Sequence, residues 1–178
     1  MLSAVRLSTR MLAAPTRRVF AAPTIRSSFA GALRFSSTNV ITPGSAVTAY
    51  SSSEPVVRYT EDHEWIALHE DGVAFIGITK YAADALGDAT YIELPNAGDA
   101  VEKGESIGSV ESVKSASEIY SPVSCEIVEG NKSLEDSASL INKDPQGDAW
   151  FAKIKVTEKE EIEELMNLEA YEEFIANH

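Results

Sequence analysis

From residue 54 onward, short apolar stretches alternate with glycine, proline, asparagine and aspartate, a pattern typical of an all-β domain. A turn at Glu70-Asp71-Gly72 separates two of the stretches and indicates a hairpin. The pattern therefore predicts a mainly β fold, with strands at residues 56–59, 63–68, 73–78, 90–94, 106–113, 118–120, 124–128 and 149–156.

Two segments depart from strand spacing and are predicted to be helical. Thr79 is the expected N-cap of a short internal helix that runs through Leu86 and ends at Gly87. Near the C-terminus, Thr157 and Glu160 have the spacing of a capping box, which predicts the start of a C-terminal helix. The apolar residues that follow lie at helical spacing and either continue this helix or begin another.

The charge of the chain is unevenly distributed. The sequence holds 15 Lys and Arg against 28 Asp and Glu, for a formal net charge of −13. Residues 1–53 contain six arginines and no acid, so the rest of the chain carries −19. A body this acidic argues against nucleic acid and anionic membranes as partners, because their phosphates would repel it. No run of 18 apolar residues occurs, so the sequence predicts no membrane span.

The first part of the chain has the composition of an import signal. Residues 1–53 combine their arginines with ten serines and six threonines, and arginines interrupt every apolar stretch that a secretory signal would need. Arg34-Phe35-Ser36 is similar to mitochondrial processing sites, which predicts a mature start between about residue 36 and about residue 54. We therefore predict a mitochondrial transit peptide and disordered linker at residues 1–48, a folded domain at 49–178 and location in the mitochondrial matrix. The alternative is a basic, disordered extension of a cytosolic protein.

Lys114 lies between the strands predicted at 106–113 and 118–120, among acids and small residues. Turns at Gly98-Asp99 and Lys103-Gly104 precede the first strand, and Glu129-Gly130-Asn131 follows its partner. The segments between these turns and Lys114 have similar lengths, which predicts a hairpin with the lysine near its midpoint. Small neighbours would leave the amine open to an enzyme that acylates it. Local composition alone favours an ordinary surface lysine at a hairpin tip over a modified one.

Other kinds of site find little support in the sequence. His63, Glu64 and His69 lack the helical His-Glu-x-x-His spacing, and in a strand the two histidines would lie about 20 Å apart. The single cysteine, Cys125, excludes an internal disulfide and a multi-cysteine metal site. No set of nucleophile, base and orienting group is visible, which disfavours an independent hydrolase or metalloenzyme.

A series of short motifs runs from about Tyr59 to Val156, and in this order they resemble the H proteins of the glycine cleavage system, a family of lipoyl carriers. The number of motifs makes this resemblance far more specific than a lone lysine between acids. The motifs are His63-Glu64-Trp65, Ile76-Gly77-Ile78-Thr79, Leu86-Gly87-Asp88, Glu93-Leu94-Pro95, Gly98, Val110-Glu111-Ser112-Val113-Lys114-Ser115, Ser121-Pro122-Val123-Ser124, Glu129-Gly130-Asn131, Leu140-Ile141-Asn142, Asp144-Pro145 and Gly147-Asp148-Ala149-Trp150.

The resemblance implies a fold and a modification. The expected fold is a lipoyl-type barrel-sandwich hybrid of two antiparallel sheets, with a short internal helix and a C-terminal helix. The expected cofactor is lipoate, attached covalently to Lys114. Glu111, Val113 and Ser115 are then the context that lipoate-attaching enzymes recognise.

Two positions depart from the family pattern. Cys125 stands where the family commonly has glycine, and we interpret it as a small buried residue with an unreactive thiol. Ala85 stands where some members have a histidine that lines a cleft for the loaded lipoyl arm. A cleft in this chain would therefore be lined differently, with Glu64 as the candidate residue.

The resemblance also implies a carrier without catalytic activity of its own. A pyridoxal-phosphate glycine decarboxylase (P protein) would load an aminomethyl group, a folate-dependent aminomethyltransferase (T protein) would unload it, and dihydrolipoamide dehydrogenase (L protein) would reoxidise the arm. We expect a monomer that meets these enzymes in transient complexes. The alternatives are a lipoyl or biotin swinging-arm domain of another acyl- or carboxyl-transfer complex, or a lipoyl donor to other proteins. Domains of other complexes usually show Asp-Lys-Ala or Met-Lys-Met at the modified lysine.

Overall fold

The computed structural model describes residues 37–178, so residues 1–36 of the predicted leader and linker, with the Arg34-Phe35-Ser36 site, lie outside the described range. No helix within residues 37–178 has the length and apolar character that crossing a bilayer requires. In chain order the elements are α1 (Ala46–Ala49), β1 (Val56–Tyr59), β2 (Glu64–Leu68), β3 (Val73–Ile78), α2 (Lys80–Leu86), β4 (Ala89–Glu93), β5 (Ala100–Val101), β6 (Ser106–Ser112), β7 (Ala116–Tyr120), β8 (Cys125–Gly130), α3 (Lys132–Asp136), α4 (Leu140–Lys143), β9 (Ala152–Val156), α5 (Glu160–Glu163) and α6 (Leu168–Ala176).

The strands form two antiparallel sheets. The larger has the order β1-β2-β3-β9-β8-β5, and the smaller has the order β4-β6-β7. All paired strands run antiparallel. The mainly β class, the two sheets, the internal helix α2 and the C-terminal helix α6 confirm the predicted fold. The sheets do not close into a barrel.

The predicted local elements around β2 and β3 are confirmed. Their hairpin sets Trp65 opposite Gly77, and a Cβ atom at position 77 would lie only 2.5 Å from the indole Cζ2 atom. Helix α2 starts where the sequence predicts, since the Thr79 hydroxyl accepts a hydrogen bond from the Ala82 N–H at 3.3 Å. It ends at Gly87, whose φ of 80° suits a residue without a side chain.

The six-stranded sheet packs on both faces. Because successive side chains of a strand point to opposite faces, Ile66 and Ile76 join the core shared with the smaller sheet, while Trp65 and Phe75 face the other side. There they belong to a second group of buried residues, the outer cluster. Its members are Ile41, Val47, Tyr59, Trp65, Ala67, Phe75 and Tyr171.

The predicted capping box at the C-terminus is wrong. The Thr157 hydroxyl donates to the carbonyl of Ser124 at 2.8 Å, and the N-cap position of the next helix is Lys159 rather than Thr157. Helix α5 begins after Lys159 without a side-chain cap. A separate helix, α6, follows Asn167, whose side chain accepts from the Ala170 N–H at 2.9 Å. The apolar residues after Asn167 thus begin a new helix.

Part of the segment predicted to be a disordered linker packs against the domain. Within residues 37–48, Asn39 is 4% exposed, Ile41 is 6% exposed and Val47 is fully buried. The predicted domain start at residue 49 coincides with the last residue of α1. We call residues 39–51 the N-terminal strap.

Candidate functional site

The predicted hairpin around Lys114 is formed by β6 and β7, and the lysine lies in the turn between them. The strands pair up to Glu111 and Ala116, and the Ser112 N–H donates to the Ser115 carbonyl at 2.8 Å. The Ser112 hydroxyl accepts the N–H groups of Lys114 and Ser115, each at 3.1 Å. Ser112 therefore fixes the backbone that carries the lysine. Sequence reasoning missed this role, although serine at the start of a turn is its usual signal.

The Lys114 side chain is exposed and extends over the end of α2. A Cβ atom at Gly87 would lie 3.2 Å from its Cε and 3.3 Å from its Nζ. The Val113 N–H donates to the Asp88 carbonyl at 3.2 Å, so the turn is hydrogen-bonded to the residue that follows Gly87 at the end of α2. Within residues 37–178, the Lys114 amine forms no ion pair. The amine is therefore accessible and available for acylation.

The residues expected to provide recognition context surround the lysine. Glu111, Val113 and Ser115 are exposed, and Val113 is 70% exposed. Tyr91 on β4 pairs with Glu111 and is 56% exposed. This tyrosine adds an aromatic ring to the accessible surface beside the hairpin tip, and it gave no distinguishing signal in the sequence.

Glu64 is buried at the start of β2, with only 2% of its surface exposed. Its carboxylate accepts the Tyr120 N–H at 3.2 Å and also the Thr60 hydroxyl. Burial raises the pKa of Glu64, and the hydrogen bond from Thr60 partly opposes this shift. Glu64 is one of the residues that line a cavity of about 260 Å³. The others are Tyr59, Thr60, Glu61, Asp62, Lys103, Gly104, Tyr120, Ser121, Pro122, Glu164, Leu165 and Met166.

Lys114 and Glu64 lie toward opposite ends of β7. The lysine precedes this strand, whereas Glu64 binds the backbone of Tyr120 at its last residue. Five strand residues separate their first and last Cα atoms by about 13 Å. Ala85 is exposed in the last turn of α2, near Gly87 and hence near the lysine rather than the cavity. The structure thus places the exposed lysine and the cavity at separate positions.

Cys125 is 2% exposed, and its sulfur lies 3.4 Å from the Ser121 hydroxyl. Burial raises the pKa of the thiol, which disfavours the reactive thiolate. These contacts agree with its interpretation as a small buried residue. In residues 37–178, no group of three His, Cys, Asp or Glu side chains could hold a metal ion.

An accessible lysine held at the tip of a hairpin, on a domain of two antiparallel sheets, is the arrangement of a swinging-arm carrier. The glycine cleavage H-protein family matches residues 57–178. The chain is 50% identical over 159 residues to the mitochondrial glycine cleavage system H protein of Saccharomyces cerevisiae, covering 87% of this chain and 92% of the yeast protein. Identity to the H protein of Rhodospirillum rubrum is 50% over 117 residues, covering 66% and 93% of the two chains.

A solved structure agrees with the sequence comparisons. The crystal structure of a glycine cleavage system H protein from Mycobacterium marinum superposes with a TM-score of 0.63 at 37% identity, covering 67% of this chain and 96% of that one. The chain belongs to the glycine cleavage H-protein family. It is accordingly a lipoyl carrier of the glycine cleavage system and not itself a catalyst.

Proposed function

We propose that this chain carries lipoate in amide linkage on Lys114 and presents it in turn to the other components of the glycine cleavage system. The observation that carries the proposal is the exposed amine at the tip of a hydrogen-bonded turn, inside a sequence that matches the family. A lipoyl group at this position would supply a disulfide that exchanges through thiolate attack at sulfur. The chain itself supplies attachment, orientation and delivery.

The residues around Lys114 support attachment and delivery in different ways. Ser112 holds the turn, so that the attaching enzyme meets one backbone shape instead of many. Glu111, Val113 and Ser115 offer that enzyme a charge, an apolar contact and a hydroxyl. Tethering replaces diffusion of a free thiol by a high local concentration at each partner, which strengthens engagement without a permanent interface.

We propose the glycine decarboxylase, the aminomethyltransferase and dihydrolipoamide dehydrogenase as the successive partners, with lipoate-attaching enzymes as earlier ones. The net charge of −19 after residue 53 favours fast encounter with basic docking surfaces and weak retention. A monomer that forms transient complexes suits a carrier that must leave one enzyme for the next.

We further propose that the Glu64 cavity shelters the loaded end of the arm. That end carries an amine, and a buried carboxylate is the counter-charge that a protonated amine needs. To reach the cavity from Lys114, the arm would lie along β7, the strand that ends at Tyr120.

The location proposed for the protein is the mitochondrial matrix. The acid-free, arginine-rich N-terminal segment that precedes the carrier domain supports this proposal.

Replacing Glu64 by glutamine tests whether burial raises the pKa of this carboxyl. Because burial raises the pKa of Glu64, the folded chain holds this proton more tightly than the unfolded chain, and stability falls as pH rises above about 4.5. Glu64→Gln removes this dependence. Urea unfolding between pH 4.5 and 7.5 should therefore show the native chain losing stability relative to the variant as pH rises.

The exposed Glu61 lines the same cavity, and Glu61→Gln serves as the control for removing one negative charge. If the stability difference between the native chain and Glu64→Gln stays constant with pH, the raised pKa is contradicted.

Mass spectrometry tests the carrier assignment directly. Protein purified from mitochondria should show one lipoyl increment in its intact mass, and peptide mapping should place the increment on Lys114. A biotin increment would favour the alternative of a carboxyl-transfer domain. An unmodified Lys114 in protein from cells with an active glycine cleavage system would contradict the assignment.

A further inference from the structure

The outer face of the six-stranded sheet is covered by residues that precede the first strand. Val47 of the N-terminal strap is fully buried and Ile41 is 6% exposed. Both pack into the outer cluster with Tyr59, Trp65 and Phe75, which come from three adjacent strands. An apolar sheet face must be covered to be stable, and here the strap supplies part of the cover.

The strap is also joined by hydrogen bonds to a loop far along the chain. The Thr42 N–H donates to the Gln146 carbonyl at 2.8 Å, and the Thr42 hydroxyl donates to the Asp144 carboxylate at 2.6 Å. The Ala46 N–H donates to the Asp148 carboxylate at 3.0 Å. Two of these contacts cross 102 residues of sequence, so they require the folded domain.

The last residues of the strap are fixed by aromatic and polar contacts. The Tyr50 ring lies 4.9 Å from the His69 ring and 5.4 Å from the Phe75 ring, between centroids. The Tyr50 hydroxyl donates to Asp71 at 2.9 Å. The Ser51 hydroxyl lies 2.9 Å from Nδ1 of His69, which is itself buried. Both ends of the strap are therefore anchored.

The strap is connected to the wall of the Glu64 cavity through Tyr59. The buried Tyr59 hydroxyl donates to the Asn39 carbonyl at 2.5 Å. The Tyr59 backbone exchanges hydrogen bonds with Met166, at 2.9 and 3.1 Å, and both residues line the cavity. Loss of Asn39 would leave a buried hydroxyl without this acceptor next to the cavity wall.

We propose that the N-terminal strap is a permanent part of the working carrier, and that removal of the import leader stops on the N-terminal side of Asn39. The inference rests on the mitochondrial location proposed above. A cut within the strap would remove Asn39 from the Tyr59 hydroxyl, and a cut after Val47 would also open the outer cluster. The composition of residues 1–53 allows the mature protein to start anywhere between about residue 36 and about residue 54. Because the strap must be kept, we place this start at the beginning of that range.

Import of the full-length chain into isolated mitochondria tests where the leader ends. The N-terminal residue of the processed protein is read from its intact mass and from sequencing of its first peptide. A start at or before Asn39 supports the proposal. A start between residues 40 and 54 overturns it. A chain that is neither imported nor cut contradicts the mitochondrial location. In that case the melting temperatures described next decide whether the strap is part of the folded domain.

Two matched variants of the full-length chain test whether the strap belongs to the fold. Val47→Ala truncates a fully buried side chain of the strap, and Val40→Ala truncates one that is 50% exposed. We expect Val47→Ala to lower the melting temperature by about 5 °C and Val40→Ala by less than about 1 °C. Equal melting temperatures for the two variants would show that the strap does not contribute to the folded domain, and would overturn the proposal. Lys114 should remain modified in both variants, which separates this result from a failure of the carrier assignment.

Discussion

Replacing Lys114 by arginine is expected to remove the lipoyl increment completely and to reduce glycine cleavage supported by this chain to background. Arginine keeps the positive charge but has no primary amine for the amide bond. The side chain is exposed and forms no ion pair within residues 37–178, so the fold should be unaffected, with a change in unfolding free energy below about 0.5 kcal/mol. The measurements are intact mass, turnover of glycine in the reconstituted system, and urea unfolding.

The matched control is Lys132→Arg, because Lys132 is an exposed lysine at the start of α3, away from the hairpin. It should keep both the modification and full activity. Substantial glycine cleavage by the Lys114→Arg variant would sink the assignment of the attachment site. Loss of activity in both variants would instead indicate a general effect of lysine replacement on partner docking.

Replacing Gly108 by alanine is expected to destabilise the protein by about 4 kcal/mol or more. Gly108 lies on β6 with a φ of 151°, and a Cβ atom there would overlap the carbonyl oxygen of Glu93 and lie 2.8 Å from Cζ of Phe151. Backbone on one side and a buried ring on the other leave no room to relax. Because β6 leads into the Lys114 turn, modification of the lysine should become incomplete as well. Urea unfolding followed by tryptophan fluorescence measures the loss.

Gly104→Ala separates steric overlap from backbone strain. Gly104 also has a positive φ, of 83°, but a Cβ atom at this position meets no heavy atom within 4 Å. Gly104→Ala should lower the free energy of unfolding by only about 1–2 kcal/mol. If the two variants lose the same stability, the close approach of Gly108 to the Glu93 carbonyl does not affect the free energy of unfolding, and the steric overlap expected for Gly108→Ala is contradicted.

Elements with local signals could be predicted from the sequence. The hairpin of β2 and β3 is specified by two short apolar stretches on either side of Asp71-Gly72, and α2 by a threonine cap and a glycine stop. The hairpin tip at Lys114 follows from small residues between two strand-like stretches. In each case the residues that determine the structure are neighbours in the chain.

Elements that depend on distant partners could not be predicted in this way. The Thr157 hydroxyl has the spacing of a helix cap, but it binds the carbonyl of Ser124, 33 residues earlier. The two-residue strand β5 exists only because it pairs with β8. The strap has no periodic pattern, and its order comes from contacts with the loop around Asp144. Pairwise contacts across long sequence separations override local propensity in all three.

The same distinction applies to the candidate site. Lys114 could be identified because its neighbours match a family motif. The burial of Glu64 depends on Tyr120, 56 residues away, whose N–H binds the carboxylate. A sequence can mark Glu64 as acidic, but only the fold determines that this residue is buried and lines a cavity.

The buried position of Cys125 has a practical consequence for redox measurements. It is the single cysteine of the chain, and its thiol is 2% exposed with a pKa raised by burial. The native protein therefore offers alkylating reagents no sulfhydryl of its own. If Lys114 carries lipoate as proposed, maleimide labelling under native conditions would count only the sulfurs of the reduced lipoyl group, so the same reagent could follow its reduction without mutating the protein.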